Sequence, residues 1–312
     1  MADLVIAHCD WSTSGDGRRM AVAERNGGRI VCGAPEAVGA PSTLIERLRS
    51  RMSGATILLG FDFPIGVPTE FAKRAGIDGF REFLTELASG DLPNFFTPAE
   101  SPSEISLKRP FYPQRPGNAR QAHLVSGLGV PDYQALFRLC DRRDGRRNGC
   151  ALFWTLGGNQ VGRAASHGWQ HVLCPLSMNT NLKCAFWPFD GELQQLIASS
   201  DVVISETYPA EFYHHLQLGL ASRGSKLDVD ARRLETGRLR ETAASLGVHL
   251  ADAAVAAVSA GFGVADNADD DFDAFVGLLG MLRVVLGHQP PGPPARIDRE
   301  LLRVEGWILG QA

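Results

Sequence analysis

Three apolar runs in this chain each end in a carboxylate: residues 5–10 (Val-Ile-Ala-His-Cys-Asp), 57–62 (Ile-Leu-Leu-Gly-Phe-Asp) and 202–206 (Val-Val-Ile-Ser-Glu). Continuous apolar runs of this length suit strands covered on both faces. A charge at the end of such a strand costs several kcal/mol to desolvate unless something compensates it, and three such ends ask for a common cause. Where parallel strands are neighbours, their C-terminal ends lie along one sheet edge, the usual place for binding sites in open α/β sheets. Carboxylates gathered there repel and drive one pKa upward unless a divalent cation neutralises them. Oxygen donors without Cys suit Mg²⁺ or Mn²⁺ rather than Zn²⁺. His8 shares a strand face with Asp10, and we read it as a packed side chain rather than a ligand.

Around these runs the pattern is that of an α/β protein. Residues 4–10, 18–25 and 29–34 are short strands separated by Gly15-Asp16-Gly17 and Asn26-Gly27-Gly28, which predicts an antiparallel meander. An amphipathic stretch capped by Ser42 follows, with Leu44, Ile45, Leu48 and Met52 on one face. The strand at 56–61 comes after that helix, so it should lie parallel to a strand of the meander. Between about 69 and 197 helical pieces alternate with Pro-rich connections. We expect a discontinuous core (1–68 and 198–288), a mainly helical insertion or cap (69–197) and a C-terminal tail (289–312) that docks on the core.

The segment Asp269-Asp270-Asp271-Phe272-Asp273-Ala274 opens a strong apolar helix predicted over about 270–286. Asp269 and Asp271 suit a cap near the positive end of the helix dipole. Asp273 lies inside the helix, where Asp has poor propensity, and shares a face with Asp270 three residues back. That face continues through Ala274 and Gly277, small enough for the helix to approach a sheet. Asp270 and Asp273 are therefore expected to point at the strand-end acids.

At 312 residues, 44% hydrophobic and 21% charged, the chain can bury a sizeable core. Its 31 basic and 35 acidic residues give −4, which argues against coating nucleic acid through overall charge. A local basic groove remains open, from Lys108, Arg109, Arg115 and Arg120 or from Arg138, Arg142, Arg143, Arg146 and Arg147, although solvated loops are the plainer reading. The first residues lack the basic region and apolar length of a signal peptide, and no run spans a bilayer. Six cysteines without a Cys-x-x-Cys pair fit a reduced, cytoplasmic protein.

The order strand-Asp, two strands, helix, strand-Asp, insertion, strand-Glu and helix with Asp-x-x-Asp-Ala resembles the predicted nucleases of domain of unknown function family 429. The matching segments are His8-Cys9-Asp10-Trp11-Ser12, residues 60–68 (Gly-Phe-Asp-Phe-Pro-Ile-Gly-Val-Pro), Ser205-Glu206-Thr207-Tyr208-Pro209 and Asp270-Asp271-Phe272-Asp273-Ala274. Residues 153–162, 187–191 and 305–311 also look like that group. His8 and Cys9 depart from the Gly-hydrophobic pair that commonly precedes the first Asp. The resemblance implies a ribonuclease-H-like mixed five-stranded sheet flanked by helices. It further implies two divalent ions held about 4 Å apart by Asp10, Asp62, Glu206 and Asp273, with Asp270 beside them, for phosphodiester hydrolysis. Lys226, Arg232 and Arg163 are candidate phosphate contacts, each with a plain surface role as the alternative.

Two other readings stand beside a metal-dependent nuclease. A non-catalytic nucleic-acid-binding, ligand-binding or scaffold protein would keep the fold and perform no hydrolysis. A phosphotransferase of the actin and sugar-kinase type needs two cores and Gly-rich phosphate loops, whereas one core is evident here. Gly-x-Ser-x-Gly is absent, so nothing marks a serine hydrolase.

Overall fold

The computed structural model describes residues 3–142, 149–157, 161–220 and 224–312. The chain divides into two compact units, one formed by 1–62, 182–293 and 308–312, the other by 63–181 and 294–307. These boundaries lie some residues away from the expected 68/69 and 197/198. The tail is shared, 294–307 belonging to the helical unit and 308–312 to the sheet unit, where the sequence suggested that all of 289–312 joins the core.

All the strands among the described residues lie in the first unit: β1 (Leu4–Asp10), β2 (Arg19–Asn26), β3 (Arg29–Cys32), β4 (Glu36–Ala37), β5 (Thr56–Phe61), β6 (Cys184–Phe186), β7 (Val202–Glu206) and β8 (Val248–Leu250). They form one mixed, eight-stranded sheet in the order β6-β7-β5-β1-β2-β3-β8, with β4 on β2. The meander β1-β2-β3 is antiparallel, and β5 runs parallel to β1 as its crossover helix requires. β7 lies parallel to β5. Five strands had been expected; β4, β6 and β8 are two or three residues long, too short to leave a periodic signal. Gly27 and Gly28 both take positive φ (54° and 92°) between the paired Asn26 and Arg29, the backbone that a two-residue hairpin turn needs.

Every residue of β1 is buried, as its unbroken apolar run implies. The helix Leu44–Arg51 packs against β1 with Leu44 and Leu48 buried. The long helix Ala268–Val285 packs on β1, β2 and the helix Pro209–His215. It comes very close. A Cβ on Gly277 would lie 2.3 Å from the His8 ring, and one on Gly60 of β5 would meet Met281 Sδ at 2.6 Å and Thr207 Cγ2 at 2.8 Å. Between β7 and β8 the chain also forms two short consecutive helices, Val229–Leu234 and Thr236–Ser245.

The second unit is helical. Thr69–Ala75, Phe80–Ser89, Gln121–Leu128, Val161–Gly168 and Arg299–Glu305 are its principal described helices. Its core is aromatic, with Phe95 edge-on to Phe83 and Phe111, and Phe80 edge-on to Trp169. Arg138, completely buried, forks onto Asp141 (Nη2 to Oδ1, 2.9 Å; Nε to Oδ2, 3.1 Å) and donates Nη1 to the Ile65 and Glu305 carbonyls at 3.2 Å each. Of the second basic cluster, Arg142 donates to the Gln134 carbonyl, and Arg143, Arg146 and Arg147 lie outside the described residues. Arg109 of the first donates to the carbonyls of Thr97 and Pro98, while Lys108, Arg115 and Arg120 face solvent.

Gly277→Ala should lower stability by about 1–3 kcal/mol, since overpacking against the buried His8 ring outweighs the roughly 1 kcal/mol gained in helix propensity. His8→Ala in that background should recover part of the loss in thermal unfolding. Arg138→Met should cost about 3–5 kcal/mol, because it leaves Asp141 buried without its cation; denaturant titration reads the loss directly.

Candidate active site

The ladder between β1 and β5 pairs Cys9 with Phe61, so the next residues, Asp10 and Asp62, are neighbours at the strands' C-terminal ends. Alternation along the strands puts both on the face of His8 and Gly60, the face covered by the long helix. Trp11 N–H donates to Asp62 Oδ1 at 2.7 Å, fixing that carboxylate against the end of β1. The Asp10 and Asp62 carboxyls lie within hydrogen-bonding reach of each other. Two carboxylates so close favour a proton on one of them.

The long helix completes the group. Asp270 in its first turn is hydrogen-bonded to Asp10. Asp273, one turn on, is 7% exposed and accepts from the Tyr213 hydroxyl and the Lys226 ammonium. Lys226 Nζ also lies 3.4 Å from Asp269 Oδ2. Asp271 pairs with Arg19 Nε at 2.5 Å, and Arg19 stands opposite Asp10 in the β1–β2 ladder.

Burial and mutual repulsion set the protonation of this cluster. Burial first, then the charges of Asp62 and Asp273, push Asp10 well above the usual carboxylate range. Asp62 is pushed up to about 6 by burial, and its hydrogen bonds from Asp10 and Trp11 hold it from rising further. Asp273 is raised by burial against the opposing Lys226 charge, and Asp270 by burial and Asp269. Burial alone would lower the Lys226 ammonium, but Asp273, Asp10 and Asp269 outweigh it and hold the lysine protonated. His8, pressed under Gly277, is brought down to about 3 by burial and is neutral at physiological pH.

Glu206 stands apart from this group. β7 pairs Glu206 with Phe61, so the pleat turns its side chain to the face opposite Asp10 and Asp62. Thr207 follows in register, its N–H on the Phe61 carbonyl at 2.7 Å, and it occupies the position on the acid-bearing face. The sequence reading took an acid at a strand end as pointing to the site, whereas one residue of register reverses the face. Arg232, 2% exposed, is engaged by the carbonyls of Gly261 (2.8 Å), Gly263 (2.6 Å) and Lys226. Arg163 lies in the helical unit and donates to the Gln114 carbonyl at 2.7 Å. Sequence reasoning missed Tyr213 and Arg19. Tyr213 sits one turn into the helix that follows β7, and Arg19 was readable as the residue facing Asp10 across the meander.

Among the described residues, no group of three or more His, Cys, Asp and Glu side chains has the spacing of a metal site. The carboxylate oxygens of Asp10, Asp62 and Asp270 are nevertheless of the donor type that a hard divalent ion takes, and the charge crowding that helps raise these three acids is what such an ion would relieve. Asp273 is taken by Lys226 and Tyr213.

A carboxyl whose pKa is raised by folding favours the folded chain while protonated. Its contribution is present below about pH 4 and lost as pH rises through about 6, on the order of 2–3 kcal/mol for Asp62. Asp62→Asn should therefore raise the Tm of metal-free protein at pH 8 and leave it nearly unchanged at pH 4. Parallel thermal scans of mutant and wild type across that range check it.

No family model matches this chain, and no curated protein and no solved structure matches it either.

Proposed function

We propose that the chain carries a ribonuclease-H-like core of the kind its resemblance to domain of unknown function family 429 implies, and that the carboxylate cluster hydrolyses phosphodiester bonds with Mg²⁺ or Mn²⁺. The central strands β3-β2-β1-β5-β7, with only β2 antiparallel to its neighbours, support the fold. The observation that carries the function is the meeting of Asp10, Asp62 and Asp270, which are far apart in the chain, at one sheet edge. That edge is where α/β sheets place their chemistry.

Asp10, Asp62 and Asp270 would hold a single ion, with Asp273 occupied by Lys226 and Glu206 turned to the other face. An ion held by those three acids would supply an acidified water and charge neutralisation at the leaving oxygen. Lys226, kept protonated, offsets the charge of Asp273 and Asp269 and lets the remaining acids approach each other.

A second reading is favoured by a specific observation: the guanidiniums of Arg232 and Arg163 are spent on backbone carbonyls. A non-catalytic protein binding nucleic acid or another ligand would show no turnover on any strand. Purified protein with Mg²⁺ or Mn²⁺ should cleave a panel of DNA and RNA substrates, and Asp10→Asn should reduce the rate about 100-fold or more. Undiminished cleavage by the mutant, or no cleavage at all, rejects the phosphodiesterase. Added Mn²⁺ should raise the Tm of wild type at pH 8 more than that of Asp10→Asn.

A further inference from the structure

Beside the carboxylates, the first unit contains a groove of about 560 Å³, within the usual size of small-ligand pockets. Gly15, Ala37, Gly39 and Ala40 line it, so little side chain intrudes, and its polar walls carry Arg18, Arg19, Asp16 and Asn267. It adjoins the acid cluster directly. Arg19 on its wall stands opposite Asp10 in the ladder and pairs with Asp271, and Asn267, also on its wall, immediately precedes the helix that bears Asp270.

Arg18 is only 8% exposed. Its guanidinium lies 5.3 Å from the Trp11 ring centroid, and Nη1 donates to the Ser12 carbonyl at 3.3 Å. Trp11 is itself fixed edge-on against Phe61 at 5.3 Å. Arg19 is oriented by Asp271. A guanidinium stacked on an aromatic face presents a preorganised fork that suits phosphate oxygens, whereas an ammonium offers only a point charge.

We propose that this groove seats the phosphate of a compact, nucleotide-sized phosphoester, with Arg18 as its principal donor and Arg19 as the second. The role as a substrate site rests on the phosphodiesterase reading above; the binding itself does not. The Asp16 carboxylate on the same groove opposes an anion, which makes the fork of Arg18 decisive. A groove of this volume favours a free nucleotide over a strand.

Calorimetric titration of the full chain with inorganic pyrophosphate in EDTA tests the groove without any metal. Wild type should bind, Arg18→Ala should bind about tenfold more weakly or worse, and Arg18→Lys should fall between them. The lysine variant carries the test if the alanine variant fails to fold. No binding by wild type, or variants that bind as wild type does, overturns the proposal. A nucleoside 5′-monophosphate should bind at least as tightly as a short 5′-phosphorylated oligonucleotide, and binding of the oligonucleotide alone would overturn the assignment of size. Arg18-dependent binding without hydrolysis in Mg²⁺ would remove the phosphodiesterase and leave the groove. Hydrolysis without Arg18-dependent binding would do the reverse.

Discussion

The contact between Gly277 and His8 sets the depth at which the long helix sits on the sheet. With hydrogen in place of a side chain, the helix comes down until the imidazole of β1 fills the gap. Gly60 and Gly280 permit similar approaches, to Met281 and to Phe212. This depth decides the chemistry of the acids. A helix held a side chain further away would leave Asp270 and Asp273 in solvent, where their pKa values would be ordinary and Asp10 would lack its partner.

Close approach creates an electrostatic problem that the surrounding residues solve in two different ways. Asp273 is met by a cation and a hydroxyl, so its charge is balanced inside the protein. Asp10, Asp62 and Asp270 crowd one another instead, and their raised pKa values favour taking up protons. A lysine is a permanent partner and a proton an exchangeable one. Among the described residues, no helix is long and apolar enough to cross a membrane.

Much of the fold was legible because the strands that matter are either fully apolar or separated by glycines. β1, β2, β3, β5 and β7 and the parallel relation of β1 to β5 followed from those patterns. What stayed hidden has physical causes. β6 and β8 are three residues each, below the length at which periodicity carries information. Asp10 and Asp62 were visible as charges that an apolar strand end would not carry by chance. Glu206 carried the same signal and lies on the opposite face, since the side to which a strand end turns depends on register, fixed here by the Gly60–Ser205 and Phe61–Glu206 pairs. Lys226 was read as a phosphate contact because sequence does not show that the chain after β7 returns it to Asp273.

The two units exchange the chain four times, at 62/63, 181/182, 293/294 and 307/308. The final crossing delivers Ile308 and Leu309 to β7, where Leu309 N–H bonds the Glu206 carbonyl at 2.9 Å. β7, already flanked by β6 and β5, thus takes a further backbone partner from a segment about a hundred residues downstream. A contact closed over about a hundred residues gains nothing until a long loop has been ordered, so the end of β7 is among the last parts of the sheet unit to be fixed as the chain folds.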